Sequence, residues 1–402
     1  MPLGIYISVP FCRTKCSYCN FASNVFSRAV FERYVDRVCA DIANAEQTAR
    51  EIGGRLEEQV DSIYLGGGTP TVLDATQLQR MFDAVRAEFQ VVPEAEITVE
   101  CAPGTLTPPV LDSLLRCEVN RVSLGVQSFV DAESAAVGRL HKRATVLEDI
   151  ARLRAAGIEN INVDLIAGLP HQTAESWQLS VDETVATGVP HVSIYMLEVD
   201  DESRLGRELI AGGTRYHAHF VPDDEATADF YVAACEKLEA AGIVQYEISN
   251  FARTGFESRH NLKYWTRQPY LGFGVDAHSM LSNTLLSVQC NIDAVHFSTA
   301  DGLEKYVAGS ALHKSLVSRK EAIEETFFLG LRLNAGVSLH EIAAAFGADA
   351  VRGLGSTIDE MVADGLMGRN GDRIHLSPRG RLVSNEVFER FIGMKDYSPM
   401  TE

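Results

Sequence analysis

Three cysteines near the amino terminus are the residues of this sequence whose spacing most clearly indicates chemistry. Cys12, Cys16 and Cys19 are separated by four and three residues and follow a short apolar run. In a reducing cytosol such a cluster indicates a metal or catalytic site rather than disulfides. The other five cysteines are scattered among apolar neighbours, which predicts small buried side chains. They are Cys39, Cys101, Cys117, Cys235 and Cys290.

Two metal centres are compatible with three neighbouring thiolates. A structural zinc site usually takes four protein ligands, commonly from C-x-x-C pairs, and the chain contains no second pair. Three cysteines around a [4Fe–4S] cluster leave one iron without a protein ligand, so that a small molecule can bind there. The spacing therefore favours an iron–sulfur cluster over zinc.

The first half of the chain alternates short apolar runs with longer segments of helical period. The runs cover residues 3–9, 61–65, 96–100, 121–126, 160–166 and 191–197, and helical patterns include 31–51 and 76–89. This alternation is typical of right-handed βα units and a parallel sheet. Six units are too few for a closed eight-fold barrel, so we predict an α/β fold with an open, partial (β/α)6 barrel. Its chemistry belongs at the carboxyl ends of the strands.

We expect three parts in the chain. Residues 1–215 form the partial barrel, and residues 216–317 form a connecting region with a helix over 224–241 and a strand over 244–249. Residues 318–402 form a helical, winged-helix-like domain. Its signals are a capping box from Ser338 to Glu341, a helix over 356–364, and a hairpin turn at Asn370-Gly371.

The charge balance excludes some function classes. The 36 Lys and Arg residues against 55 Asp and Glu residues give a formal charge of −19, and a dense basic stripe is lacking. This argues against nucleic-acid binding, so we expect a structural or docking role for the winged-helix-like end. No apolar run reaches the roughly 18 residues of a membrane helix, and the start lacks a secretory signal, so we expect a soluble, cytoplasmic protein.

Several motifs resemble one family. They are Pro10-Phe11-Cys12, Tyr18-Cys19-Asn20-Phe21, Gly66-Gly67-Gly68-Thr69-Pro70-Thr71 and Glu100-Cys101-Ala102-Pro103-Gly104. With the C-x-x-x-C-x-x-C cysteines, they are similar to the radical S-adenosylmethionine superfamily. More narrowly they resemble the oxygen-independent coproporphyrinogen III oxidase family, including its haem-chaperone branch. The resemblance implies a [4Fe–4S] cluster on the three cysteines and S-adenosylmethionine at its open iron.

The resemblance also implies a set of cofactor contacts at the strand ends. It assigns Gly67, Gly68 and Thr69 to the methionine end of S-adenosylmethionine, with further contacts to its methionine and ribose. Those further contacts are Glu100, Gln127, Arg139 and Asp164, and weaker similarity adds Tyr6, Tyr18 and the backbone near Leu197. Taken alone, each polar residue has an alternative as a structural hydrogen-bonding group, and Arg139 as a solvated helix residue.

Two departures separate the oxidase branch from the chaperone branch. The oxidase pattern continues to a fourth cysteine where this chain has Phe21, and it carries an amino-terminal arm before the first strand, which this sequence lacks. The segment from His260 to Trp265 matches the H-N-x-x-Y-W motif associated with haem binding in the chaperone branch. A neutral imidazole can ligate haem iron, so His260 is the candidate ligand. A core role for this aromatic segment, and ligation by His278 or His217, are the alternatives.

We therefore predict a haem chaperone that passes haem to acceptor haemoproteins, without an assigned catalytic residue. A flavodoxin- or ferredoxin-type protein is the electron donor expected from the superfamily. The alternatives are an oxygen-independent coproporphyrinogen III oxidase, which decarboxylates its substrate by a radical route, and a radical methylase of a small substrate.

Overall fold

The computed structural model describes residues 1–283 and 291–393, and its centre is a run of six parallel strands. They are β1 (Leu3–Val9), β2 (Gln59–Gly67), β3 (Gln90–Cys101), β4 (Arg121–Gln127), β5 (Asn160–Ala167) and β6 (His191–Met196). These strands lie side by side in chain order, and each neighbouring pair is parallel. The six predicted strands are confirmed, with β2 and β3 longer than expected.

Helices follow the strands and pack their apolar sides against the sheet in one continuous core. They are α1 (Phe31–Ala43), α2 (Ala45–Ile52), α3 (Ala75–Glu88), α4 (Pro108–Arg116), α5 (Asp131–Ala136), α6 (Arg143–Ala155) and α7 (Ala174–Thr187). Asp74 and Gln77 form a capping box at the start of α3, and Gly188 ends α7 in the left-handed conformation. The single helix expected over 31–51 is interrupted at Asn44.

Further strands extend the sheet at both edges. They are β7 (Val244–Gln245), β8 (Asn250–Ala252), β9 (Tyr270–Gly274), β10 (His278–Ser282), β11 (Ile292–Ser298) and β12 (His313–Ser318). The order is β12-β11-β10-β9-β1-β2-β3-β4-β5-β6-β8-β7, and the two edge strands do not pair within the described residues. The sheet is therefore open, as predicted. The single strand expected over 244–249 is wrong, because the chain turns at 246–249 and β7 pairs antiparallel with β8.

The second half of the chain adds helices around the sheet and a smaller unit at the end. The helices are α8 (Arg204–Ala211), α9 (Asp224–Ala240), α10 (Arg259–Trp265) and α11 (Leu303–Val307). The final unit contains α12 (Arg319–Gly330), β13 (Val337–Ser338), α13 (Leu339–Phe346), α14 (Asp349–Arg352), α15 (Gly355–Ala363), β14 (Met367–Asn370), β15 (Arg373–Leu376), α16 (Pro378–Leu382) and α17 (Ser384–Glu389). It has its own apolar core, and β14 and β15 form the hairpin expected at Asn370-Gly371.

The inner face of the parallel strands is polar. In each strand, every second residue is apolar and buried beneath the helices. Some of the residues between them point to the other, inner face of the sheet and stay partly accessible to solvent. These positions include Tyr6, Tyr64, Glu100, Asp164 and Tyr195. A sheet with an apolar outer face and a polar inner face encloses a space suited to a polar ligand. Within the described ranges, no helix combines the length and apolar character needed to span a bilayer.

Candidate functional site

The cysteine loop lies directly after β1 and is held by two other parts of the chain. Cys12, Cys16 and Cys19 are all half-buried. Thr14 Oγ1 donates to the carbonyl of Gly138 at 2.8 Å, and the amide of Leu205 donates to the carbonyl of Ser17 at 2.9 Å. The loop is therefore clamped between the segment after β4 and the start of α8. Of the scattered cysteines, Cys101 and Cys117 are buried, Cys39 and Cys235 are half-buried, and Cys290 lies outside the described residues.

The three thiols have environments suited to a cluster. Burial raises the pKa of the Cys12 thiol, so a positive centre is needed to hold it as a thiolate. Thr69 Oγ1 lies 3.9 Å from Cys12 Sγ, and the Arg139 guanidinium lies 3.7 Å from Cys16 Sγ. In the described part of the chain, no three His, Cys, Asp or Glu side chains converge closely enough for a single metal ion. A cubane cluster differs from a single ion in that its thiolate ligands bind separate irons.

The glycine turn after β2 brings the backbone close to the cysteine loop. The Gly68 amide donates to the carbonyl of Val9 at 2.7 Å. A Cβ at Gly68 would lie 2.7 Å from the carbonyl oxygen of Phe11 and 3.1 Å from Cys12 Sγ, so no larger residue fits. Gly67 has a φ of +98°, which a side chain would strain. This turn is the predicted contact for the methionine end of the cofactor.

Glu100 lies at the end of β3 and links this turn to the inner face of the sheet. Its Oε2 accepts from the Gly67 amide at 3.1 Å, and its Oε1 accepts from the Tyr64 hydroxyl at 2.9 Å. Burial, reinforced by the charge of Asp164, raises the pKa of Glu100 to about 7. A cationic group bound beside it would favour the carboxylate. The amino group and sulfonium of S-adenosylmethionine are such cations.

Asp164 and Gln127 continue the polar face along β5 and β4. Asp164 accepts from Ser123 Oγ at 2.9 Å and from Asn162 Nδ2 at 2.7 Å, and burial raises its pKa. Gln127 has a φ of +70°, and its buried Oε1 has no hydrogen-bond partner among the described residues. A buried amide oxygen without a partner is costly unless a ligand supplies a donor. This orphaned atom supports a bound polar molecule at the mouth of the barrel.

The remaining predicted residues border the same region. The Arg139 guanidinium donates to the carbonyl of Gly125, which holds it over the end of β4. Tyr6 points to the inner face, with its ring centroid 6.1 Å from that of Tyr64. Tyr18, within the cysteine loop, packs against a small apolar cluster of Val137, Ile166 and Leu169, as Leu197 does. The structure thus brings the predicted cluster and cofactor residues together at one end of the sheet, with the exception of His260.

His260 lies beneath the same residues, toward the amino-terminal halves of the strands, with its ring centroid 6.4 Å from that of Tyr6 and 5.4 Å from that of Tyr64. It is 1% exposed, its Nδ1 pairs with Ser62 Oγ at 3.0 Å, and its Nε2 pairs with the Tyr264 hydroxyl at 2.8 Å. Burial and the neighbouring Lys263 charge lower the pKa of His260 to about 3, so the ring is neutral at ordinary pH. Both nitrogens of this imidazole are already used, and iron ligation by His260 stays a prediction.

Three further residues lie in the site although no sequence motif marks them: Tyr64, Ser123 and Asn162. Each of them donates a hydrogen bond to one of the two predicted acidic residues, Glu100 or Asp164. Their signal in the sequence is the polar alternation within strands that are otherwise apolar, as in the Arg-Val-Ser-Leu start of β4.

The chain is similar to known proteins over nearly its whole length. The Radical SAM superfamily profile matches residues 6–184, and the HemN C-terminal domain profile matches residues 317–383. The heme chaperone HemW of Lactococcus lactis is 33% identical over 392 residues, covering 97% of each chain. That of Bacillus subtilis is 34% identical over 389 residues, covering 96% of this chain and 98% of its relative.

A solved structure shows the same fold. The coproporphyrinogen III oxidase HemN from Escherichia coli, described as a radical SAM enzyme, superposes with a TM-score of 0.81 at 23% identity. The match covers 98% of this chain and 90% of that structure. At this identity the likeness establishes the architecture alone, whereas the near full-length identity above 30% establishes kinship. The chain therefore belongs to the radical SAM superfamily and, within it, to the heme chaperone HemW family.

Proposed function

We propose that this protein is a cytoplasmic haem chaperone that holds one [4Fe–4S] cluster and one S-adenosylmethionine and passes haem to acceptor haemoproteins. The observation that carries the proposal is the near full-length similarity to proteins named heme chaperone HemW from several bacteria. Phe21 also supports the chaperone over the oxidase, because it stands where the oxidase pattern has its fourth cysteine. Its side chain is 65% exposed beside the cysteine loop.

The residues at the barrel mouth fit both small cofactors. Cys12, Cys16 and Cys19 would hold the cluster, and Arg139 beside Cys16 would offset its negative charge. The open iron of such a cluster supplies a binding point for the amino and carboxylate groups of S-adenosylmethionine. The backbone at Gly67 and Gly68, which packs against the start of the cysteine loop, would contact that end of the molecule.

The polar inner face would bind the rest of the cofactor. Glu100 would become ionised beside the cationic groups, and Asp164 would accept from the ribose hydroxyls. Gln127 Oε1, which has no partner in the described chain, would accept from a donor of the cofactor. Tyr6 and Thr69 border the same space, and Tyr18 anchors the cysteine loop by packing against an apolar cluster.

An electron donor of the flavodoxin or ferredoxin type would dock near the cysteine loop. Arg13 and Arg204 are exposed there, although the whole chain has a formal charge of −19. These two cations would pair with carboxylates of an acidic partner, beside the exposed Asp201 and Glu202 of the same segment.

The test uses one anaerobically reconstituted preparation of the full chain. We expect saturable binding of one haem, transfer of haem to the apo form of a b-type cytochrome, and no protoporphyrinogen IX from coproporphyrinogen III with reductant and S-adenosylmethionine. Formation of protoporphyrinogen IX would instead support the oxidase. Absence of saturable haem binding would overturn the chaperone proposal.

A further inference from the structure

A cavity of about 300 Å³ adjoins the cofactor residues on the side away from β4 and β5. Gly67, Gly68 and Tyr6 form one wall, which it shares with the predicted S-adenosylmethionine site. The opposite wall comes from the second half of the chain, through Tyr264 of α10 and His278 at the start of β10. The cavity is thus built where β9 and β10 extend the sheet beyond β1.

The lining of this cavity suits a flat, largely apolar ligand. Tyr264 and Tyr270 pack edge to face with centroids 4.6 Å apart, which fixes the orientation of both rings. Phe21 lines the same cavity and leaves 65% of its surface exposed. A volume of this size is at the lower end for an organic ligand and would enclose a macrocycle only in part. Partial enclosure fits a ligand that must be handed on.

His278 is the histidine that lines this cavity. Its side chain is 71% exposed, and its Nε2 lies 3.9 Å from Asp276 Oδ1, which is beyond hydrogen-bonding distance. His260, by contrast, has both nitrogens bonded and is buried. His171 and His217 bond to each other at 3.1 Å outside this cavity. His278 therefore combines an accessible imidazole with a cavity beside it.

We propose that haem binds in this cavity with His278 as an axial ligand of its iron. Asp276 lies within a small side-chain movement of the second ring nitrogen, and a carboxylate in that position orients a metal-bound imidazole. The H-N-x-x-Y-W segment then contributes through the ring of Tyr264, and His260 is a positioning residue that holds the Tyr264 hydroxyl. This inference rests on the proposed haem-binding function and names the site of that binding.

The experiment is an anaerobic haem titration of the cluster-loaded full chain and its variants, followed by absorbance. We expect His278→Ala to weaken haem binding by about 100-fold or more and Asp276→Asn by about tenfold, since losing a partner behind a metal ligand typically costs 10- to 100-fold. His313→Ala, on the exposed part of β12, is the matched control and should bind haem as the wild type does. Added imidazole should restore the wild-type spectrum of His278→Ala.

The outcomes separate the two proposals. No haem binding by the wild type would overturn the proposed function, and with it this inference. Haem binding by the wild type that is unchanged in His278→Ala would overturn the inference alone. Iron content and circular dichroism identify a misfolded variant, and in that case His278→Met decides, because a thioether ligand must shift the spectrum if position 278 binds the iron. An unshifted spectrum would reject the site.

Discussion

The mouth and the floor of the partial barrel use polar side chains in opposite ways. We call one group of residues the mouth: Cys12 to Phe21, Gly66 to Thr69, the strand-end residues Glu100 and Gln127, and His278. We call the buried groups around His260 and His191 the floor. At the floor, His191 pairs with Asn162 Oδ1 at 2.6 Å and with the Tyr246 hydroxyl at 3.0 Å. His260 likewise uses both ring nitrogens.

At the mouth the same kinds of groups retain bonding capacity. Gln127 Oε1 has no hydrogen-bond partner among the described residues, and the contact of Cys16 Sγ with the Arg139 guanidinium is 3.7 Å long. The exposed His278 lines the cavity. Leaving a buried polar atom unpaired costs about 1–3 kcal/mol, and a ligand that supplies the missing bond recovers that free energy on binding. The comparison teaches that the two floor histidines serve the fold, since all their ring nitrogens are bonded, whereas Gln127 Oε1 and the His278 ring keep bonding capacity for a ligand.

The largest effect is expected from the mouth. Cys16→Ala should abolish cluster binding, because three thiolates are already the minimum set for this centre. Iron and sulfide content after anaerobic reconstitution, with the visible absorbance of the cluster, measures this. Cys39→Ala is the matched control, since Cys39 lies in α1, away from the cysteine loop, and its thiol donates to the carbonyl of Arg80 at 3.6 Å. Full iron and sulfide in a triple variant of Cys12, Cys16 and Cys19 would refute the assignment of the mouth.

A second substitution tests the floor. His260→Ala removes a buried ring and leaves Ser62 and Tyr264 without a partner, so we expect a loss of about 2–5 kcal/mol in unfolding free energy. Urea unfolding of the apoprotein measures the loss. His278→Ala is the comparison, and its exposed side chain predicts a change within about 0.5 kcal/mol. Equal destabilisation by the two substitutions would remove the distinction between floor and mouth.

Acidity should affect the two regions with opposite signs. The pKa of Glu100 rises from 4.5 to about 7 on folding, so the folded state holds this proton more tightly, and the stability from it is lost as the pH rises from about 4.5 to 7. The pKa of His260 falls from 6.5 to about 3, so its contribution is present above pH 6.5 and is lost as the pH falls toward 3.

Glu100→Gln isolates the contribution of the mouth. Between pH 5 and pH 8 the unfolding free energy of the variant should rise by about 1–3 kcal/mol relative to that of the wild type, because Gln cannot ionise in the buried position. Unfolding midpoints of the two apoproteins at both pH values give this difference. A difference that stays constant between pH 5 and pH 8 would show that Glu100 is not held protonated.

The mouth was largely predictable from the sequence because its residues lie in short local motifs. The cysteine loop and the Gly66 to Thr69 turn each follow a strand whose continuous apolar run also marked the parallel sheet. The strands β9 to β12 escaped prediction because they lie outside the regular alternation of strands and helices, and because β9 pairs with β1, as Gly4 with Tyr270, across most of the chain. Such distant pairing leaves no local pattern.

The hydrogen-bond partners of His260 could not be predicted for a related reason. The H-N-x-x-Y-W motif gives the residue types that are neighbours in the sequence. It does not show whether the ring nitrogens of His260 are already hydrogen-bonded in the fold. Ser62, which occupies Nδ1 of His260, belongs to β2 and lies 198 residues away in the chain. His278 carries no motif in the sequence analysis, and only the packing of β9 and β10 beside β1 places it near the cofactor residues.

The smallest expected effect concerns Phe21, the exposed aromatic residue of the mouth. Phe21→Ala should change stability by no more than about 0.5 kcal/mol, because little of this side chain is buried. If haem covers the ring, the same substitution should weaken haem binding about fivefold, which corresponds to about 1 kcal/mol of lost apolar contact. Val25→Ala is the control, since Val25 is 54% exposed in the same loop and does not line the cavity. Equal haem affinity in both variants would place the macrocycle away from Phe21 and restrict its contacts to the side of Tyr264 and His278.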